Sequence, residues 1–362
     1  VFLLGMKSAL NPKSERFGSL YRITISYSTS CFMILNALLH DRLNGGHIIE
    51  QVHDAYRLPL AVADGTSGFG MGSIDCLVGR PADVSTWLRV ATAVPLSLLI
   101  ISVGIVSVWG RICAPDQSLT TLVMRPFLVF TNSFLPSILA SFLRSWPCYH
   151  TQKTGDPIEL MMMYDVKTEC PGYFSWQFST GLFGSALVLA TGPGLWCVVL
   201  AMAEKWSETD RTERLGFLTG AYKAEKRWWE VAVLVRKLGF AVIVTLCPPS
   251  YSLFSHLLAL LVVLGVALVL HLTVRPYKDH QDGARFFSLN VIEASSLVVS
   301  CLCLCATLYA ANKTWATSQT VDLVLSCITA FLLVAFGLLL FCLLAYEGFV
   351  KLQSIVSCRA ED

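Results

Sequence analysis

Within the run Leu215 to Phe240, Trp228-Trp229-Glu230 stand at the mouth of a long apolar stretch, and Arg236-Lys237 follow inside it. Placing a lysine or arginine at the centre of a membrane helix costs roughly 2.5 to 3.5 kcal/mol, so such charges usually have partners or work to do. On a helix of about 3.6 residues per turn, Glu230 and Lys237 share nearly one face, and Trp229 and Arg236 share the next. Arg236 then lies roughly 12 Å from the end of its span. Glu293 enters a later span from the same side and reaches roughly 9 Å. These depths suggest an ion pair between Arg236 and Glu293, with Lys237 reaching Glu230 or snorkelling to headgroups. Such a pair either clamps two helices together or lines a path between them.

No catalytic set accompanies these charges. The chain holds no His-Glu-x-x-His, no Gly-x-Ser-x-Gly, no Walker pattern and no matched Cys/His quartet. Neither an enzyme nor a bound metal or cofactor is expected. Cys301 and Cys305 share a helical face and Cys303 does not, which is the spacing of packing thiols. His256, His271, Asn132 and Asn290 are isolated polar residues in apolar runs, placed to hydrogen-bond between helices.

The elements that must position these groups are membrane helices. Hydrophobic residues make up 54% of the 362 positions and charged ones 14%, against about 25% charged in ordinary soluble chains. The mean hydropathy is +0.60. A net charge of +2, scattered and without a Lys/Arg cluster, argues against nucleic acid as a partner and leaves membrane lipids. The expected fold is all-α: a polytopic bundle of about eight transmembrane helices in one domain over residues 1–362. The spans are expected near 20–39, 88–109, 127–146, 178–202, 229–247, 253–274, 287–310 and 321–346, each close to the length a bilayer requires. The first is rich in hydroxyls, which fits either a span that faces other helices or an interfacial helix.

Lys and Arg concentrate on one set of connections, which puts both termini in the cytoplasm. Residues 40–87 and 147–177 then form outside loops, and 203–228 a cytoplasmic one. Cys148 and Cys170 share an outside loop, where an oxidising compartment permits a disulfide. The sequon Asn312-Lys313-Thr314 also falls outside, within reach of glycosylation. Trp228 and Trp229 mark one span boundary. Arg275-Pro276-Tyr277 marks another, as a helix stop, an interfacial ring and either a hinge or an anionic-lipid contact. Gly192-Pro193 in the fourth span should weaken or kink it. The chain starts at Val1 without a leader pattern, and reads as a piece of a longer polypeptide in the plasma membrane or another membrane of the secretory pathway.

Several of these residues together resemble a known module. The series is Gly216-Phe217-Leu218 with Tyr222, Trp228-Trp229-Glu230, Arg236-Lys237-Leu238 and Arg275-Pro276-Tyr277, followed by Asn290-Val291-Ile292-Glu293. Before it come Cys148, Tyr164-Asp165, Cys170 and Gly192-Pro193. This pattern is similar to the transient-receptor-potential-like transmembrane module at the C-terminal end of large protist and algal surface proteins. The resemblance covers roughly residues 20 to 310. It implies an ion-channel or transport module near the fifth to seventh spans, association into oligomers, and an upstream cysteine-rich, EGF-like or ephrin-receptor-like ectodomain. The alternative it leaves is a membrane anchor that relays signals from such an ectodomain without transport. One departure bears on conduction: the connection near Ala311 to Gln319 is too short for a pore helix and filter. Any path must be built from the spans themselves.

Overall fold

The computed structural model describes residues 15–40, scattered helical positions between 93 and 108, and then 119–146, 148–151, 159–162, 165–169, 176–247, 252–278, 288–311 and 319–360. Its helices are α1 (Glu15–His40), α2 (Leu119–Leu143), α3 (Trp176–Ala203), α4 (Glu208–Thr219), α5 (Trp229–Leu246), α6 (Leu253–Val274), α7 (Leu289–Ala311) and α8 (Gln319–Ala360). Between α2 and α3 lies an antiparallel meander of β1 (Cys148–Thr151), β2 (Glu159–Met162) and β3 (Asp165–Glu169). The outside loop expected at 147–177 is therefore partly a sheet, an addition to the all-α expectation. Cys148 pairs with Met162 across it, and the β2–β3 ladder shifts register at Met161/Met162.

Among the described residues, four helices are long and apolar enough to cross a membrane: Phe178–Ala203, Leu253–Val274, Leu289–Ala311 and Val324–Phe349. The physical reason that α5 falls outside this set is its load of Glu230, Arg236 and Lys237 within a short helix. Exposed faces confirm the character of the four. Phe183 and Leu187 on α3, Val262 and Val269 on α6, Val298 and Leu302 on α7, and Phe331 and Phe341 on α8 all point outward. Large apolar surfaces turned outward along whole helices suit hydrocarbon as solvent, not water.

Contacts divide the chain into two compact units. One contains α2, the sheet, α3 and Val231 onward in α5. Its core includes Leu128, Leu139, Leu143, Val188, Trp196, Leu234 and Phe240. Trp196 is fully buried in this core. α2 and α3 approach through small residues: a Cβ at Gly184 would strike the Phe142 ring, and one at Gly192 would strike the Leu135 side chain. Close backbone approach of this kind is how membrane helices gain dispersion contact. Pro193 sits inside α3, which continues as one helix on both sides of it. The role visible at this position is Gly192's packing against α2.

The other unit contains α1, α4, the first two residues of α5, α6, α7 and α8. α1 runs through its interior, with Leu20, Ile23, Tyr27, Cys31 and Ile34 buried. Its hydroxyls are satisfied along the helix, since Thr24, Thr29 and Ser30 donate to the carbonyls of Leu20, Ile25 and Ser26. A helix that returns its hydroxyls to its own backbone can be polar in composition and still be buried among others. Tyr27 donates to the Leu333 carbonyl of α8 at 2.9 Å and packs edge-on against Phe336. Facing these, α7 buries Ser296, Ser300 and Thr307, each bonded to the carbonyl three or four residues earlier.

The connection 203–228, expected as a cytoplasmic loop, contains α4. Ser207 caps it by accepting from the Asp210 amide at 3.1 Å, and Glu208 and Asp210 occupy its first turn, where they complement the helix dipole. Leu215 and Leu218 are buried as α4 packs against α1. Glu208 pairs with Arg211 and Arg227 at the surface, contacts worth at most about 1 kcal/mol each.

Candidate functional site

Four helix ends of the second unit bring ionisable groups together. Arg22 stands in the third turn of α1, Glu230 in the first turn of α5, His271 in the last turn of α6 and Glu293 in the second turn of α7. What joins them is a strand-like contact between two irregular segments. Tyr222 and Tyr277 form an isolated antiparallel bridge, in which Lys223 N–H donates to the Pro276 carbonyl at 2.8 Å and Lys278 N–H to the Ala221 carbonyl at 2.9 Å.

The local reason for that bridge lies in Arg275-Pro276. Pro276 cannot donate and ends the helix. Arg275 adopts a left-handed conformation (φ 43°) and returns its N–H to the His271 carbonyl, which turns the chain at a cost of roughly 1–2 kcal/mol for a non-glycine residue. Asn290 then clamps the turn from α7. Its Oδ1 accepts from the Tyr277 amide at 3.1 Å, and its Nδ2 donates to the Tyr277 carbonyl at 3.0 Å. Asn290→Ala should lower stability by about 2 kcal/mol, two hydrogen bonds at roughly 1 kcal/mol each. A fall in the thermal midpoint of the solubilised chain would measure it.

From this bridge two tyrosine hydroxyls reach two carboxylates. Tyr222 donates to Glu230 Oε2 at 2.9 Å, and Tyr277 donates to Glu293 Oε2 at 2.6 Å. The two rings lie 5.0 Å apart. Burial first, and then the adjacent carboxylate, pushes each hydroxyl well above its ordinary titration range. Both tyrosines therefore remain protonated donors. Arg22 completes the first pair, with Nη1 2.5 Å from Glu230 Oε2 and its guanidinium 5.4 Å from the centre of the Tyr222 ring. Its other nitrogens donate to Ser19 Oγ at 2.8 Å and the Gly18 carbonyl at 3.3 Å. His271 completes the second, with Nδ1 3.7 Å from Glu293 Oε2. Glu230, His271 and Glu293 are all at most 3% exposed.

Of the five residues expected at span boundaries, Trp228 and Arg275 are exposed, while Trp229, Pro276 and Tyr277 are buried. Trp229 packs edge-on against His271, with ring centres 5.6 Å apart. The bridge draws these residues inward, so a motif that looks like an interfacial belt supplies the interior of a polar cluster. His271 and Asn290 do bond between helices, through His271 Nε2 and the Asn290 carbonyl at 3.0 Å. Arg236 is buried and Lys237 half-buried, both in the first unit. Within the second unit, Arg22 meets Glu230, and His271 and Tyr277 meet Glu293.

Arg22 is the residue that sequence reasoning passed over. It stands near the start of the first span, where it counts as one of the cytoplasmic positive charges, and nothing local announces a partner more than two hundred residues away. Cys148 in β1 is disulfide-bonded, and Cys170 lies outside the described residues, as does Asn312. No group of three or more His, Cys, Asp or Glu among the described residues is placed to hold a metal ion. Searches of protein-family models, curated proteins and solved structures found no match for the chain.

Proposed function

We propose that the chain is a transient-receptor-potential-like transport module, with about eight membrane helices and both termini cytoplasmic, that passes ions or lipid beside α6 and α7. The observation supporting this is the buried cluster itself. Ionic groups taken from water cost several kcal/mol each, and well-packed apolar residues would hold helix ends together at no such cost. Intramembrane and near-membrane charges retained despite that cost mark transport paths more often than simple packing. The path is formed by helices rather than by a re-entrant filter. The protein sits in the plasma membrane or another secretory-pathway membrane, associates with itself, and carries the Cys148–Cys170 disulfide, a glycan at Asn312 and an upstream cysteine-rich ectodomain. It is not an enzyme.

Liposomes reconstituted with the chain should pass monovalent cations or expose labelled inner-leaflet lipid, and Glu230→Gln should change the rate. Repeated absence of flux from folded protein would overturn the transport reading.

A second reading has its own observation. Glu230 and Glu293 are each met by a tyrosine hydroxyl and a basic side chain, which is how a clamp is built. In that case the helices anchor and relay signals from the ectodomain, and the cluster keeps their ends in register.

A further inference from the structure

An open groove follows the outward side of the α2–α3 pair. Phe142 of α2 and Ser179, Thr180, Phe183, Gly184 and Leu187 of α3 enclose about 450 Å³, within the range of ligand sites, about 300–1,000 Å³. Gly184 lets the Phe142 ring lie close against the α3 backbone, and Phe183 and Leu187 stand exposed beside it. The lining is apolar except for the two hydroxyls at one end.

Depth and polarity together describe what fits it. From Ser179 to Leu187 the helix rises roughly 12 Å, close to the roughly 15 Å of one leaflet in a hydrocarbon core about 30 Å thick. Ser179 follows directly on Phe178, where the apolar stretch of α3 begins. Trp146 packs on Phe178 there, with ring centres 6.3 Å apart, and indoles settle at headgroup level. The hydroxyls thus stand at the polar boundary, and Phe183, Gly184 and Leu187 lie in the hydrocarbon beyond it. Deeper in α3, Ser185 and Thr191 donate to the Gly181 and Leu187 carbonyls of their own helix. Ser179 and Thr180 make no such bond among the described residues, which leaves two donors for a ligand with acceptors at this level. The ester carbonyls of a phospholipid are such acceptors, and its acyl chain continues into the apolar part. A helix from a second copy suits the groove less well, because its backbone carbonyls are already used within the helix and it would lie along the whole span.

We propose that this groove binds one diacyl phospholipid of the adjacent leaflet, its ester carbonyls accepting from the Ser179 and Thr180 hydroxyls and one acyl chain lying along Phe142, Gly184 and Leu187. A lipid seated there covers the seam between α2 and α3. The site does not depend on whether the module transports anything. A failure of flux and a failure of lipid binding are thus separate results.

The test places the full chain in discs of phosphatidylcholine that include a fraction with a photoreactive diazirine in the upper acyl chain, and maps the labelled residues by mass spectrometry. Labelling of the Phe183–Leu187 segment should exceed that at Val262 and Val269, which are outward-facing on α6 and report ordinary contact with the bilayer. The excess should be about fivefold or more, the factor that one ordinary hydrogen bond supplies. Ser179→Ala combined with Thr180→Val removes both donors and should bring the segment close to the α6 level. Leu187→Trp places an indole in the apolar end and should do the same by filling it. Neither variant touches the buried core, and unchanged thermal midpoints would verify that the fold is kept. Should a variant fail to fold, the comparison of the two faces in the wild-type chain still decides. Equal labelling of the two faces, an excess that both folded variants leave unchanged, or cross-linking of Phe183 and Leu187 to a second copy in place of lipid would each overturn the proposal.

Discussion

Arg22→Met should destabilise the folded chain by about 3–5 kcal/mol, the usual cost of removing one partner from a buried ion pair. Methionine matches the length of the side chain and keeps α1's packing, so the loss isolates charge. What remains is Glu230, 0% exposed, which keeps its hydrogen bond from the Tyr222 hydroxyl and loses the Arg22 guanidinium. A buried carboxylate without its cation either takes up a proton or opens the structure to water, and both weaken the fold. Adding Glu230→Gln to Arg22→Met removes the stranded charge and should recover most of the loss. Thermal midpoints of the solubilised single and double variants measure both effects. Equal midpoints for Arg22→Met and wild type would show that the pair contributes nothing to stability.

Gly181→Leu should cost about 3 kcal/mol or more and release α3 from α2. Overpacking of a core typically costs about 1–3 kcal/mol where side chains can give way. At Gly181 they cannot all do so. A Cβ there would meet the Ser145 hydroxyl, the Phe142 backbone carbonyl and the Trp146 indole nitrogen. Ser145 Oγ is itself bonded to the Phe142 carbonyl at 2.7 Å, so moving it breaks that bond, and the carbonyl can move only with its helix. Gly194 on the same helix meets nothing within 4 Å, so Gly194→Leu is the matched control and should be nearly neutral apart from helix propensity. Detergent-solubilised yield and the monodispersity of the purified chain distinguish them. Similar loss in both variants would assign the effect to glycine's backbone freedom and not to helix contact.

These two positions show how unevenly the architecture was legible. The apolar runs at 178–202, 253–274, 287–310 and 321–346 found the four helices that qualify as spans, because hydrocarbon imposes length and composition directly on sequence. A buried helix such as α1 escapes that imposition. It contacts other helices and returns its hydroxyls to its own carbonyls, so its composition speaks only faintly of its place. The sheet at Cys148–Glu169 and the helix at Glu208–Thr219 lay in segments read as loops, since short strands and an amphipathic surface helix leave no hydropathy signal comparable to a span.

Within the site, Glu230 and Glu293 were legible as expensive charges near span ends, and both are buried. The tyrosines that meet them were not. Tyr222 and Tyr277 each sit beside a recognisable motif, and Pro276 correctly marks a helix stop, yet pairing the two tyrosines requires the α4–α5 turn and the α6–α7 turn to meet edge to edge.

By itself, then, the sequence determined the solvent, the helical class and the presence of charges needing partners, because each is a local balance between a residue's transfer cost and the length of its apolar run. Only the tertiary structure decided which partners those charges have. Depth arguments fix distance along a helix axis and leave rotation and neighbour free, so Arg22, far away in sequence but adjacent in the fold, took Glu230. His271 came to face Glu293 because a left-handed turn at Arg275 and an asparagine clamp hold the end of α6 against the start of α7.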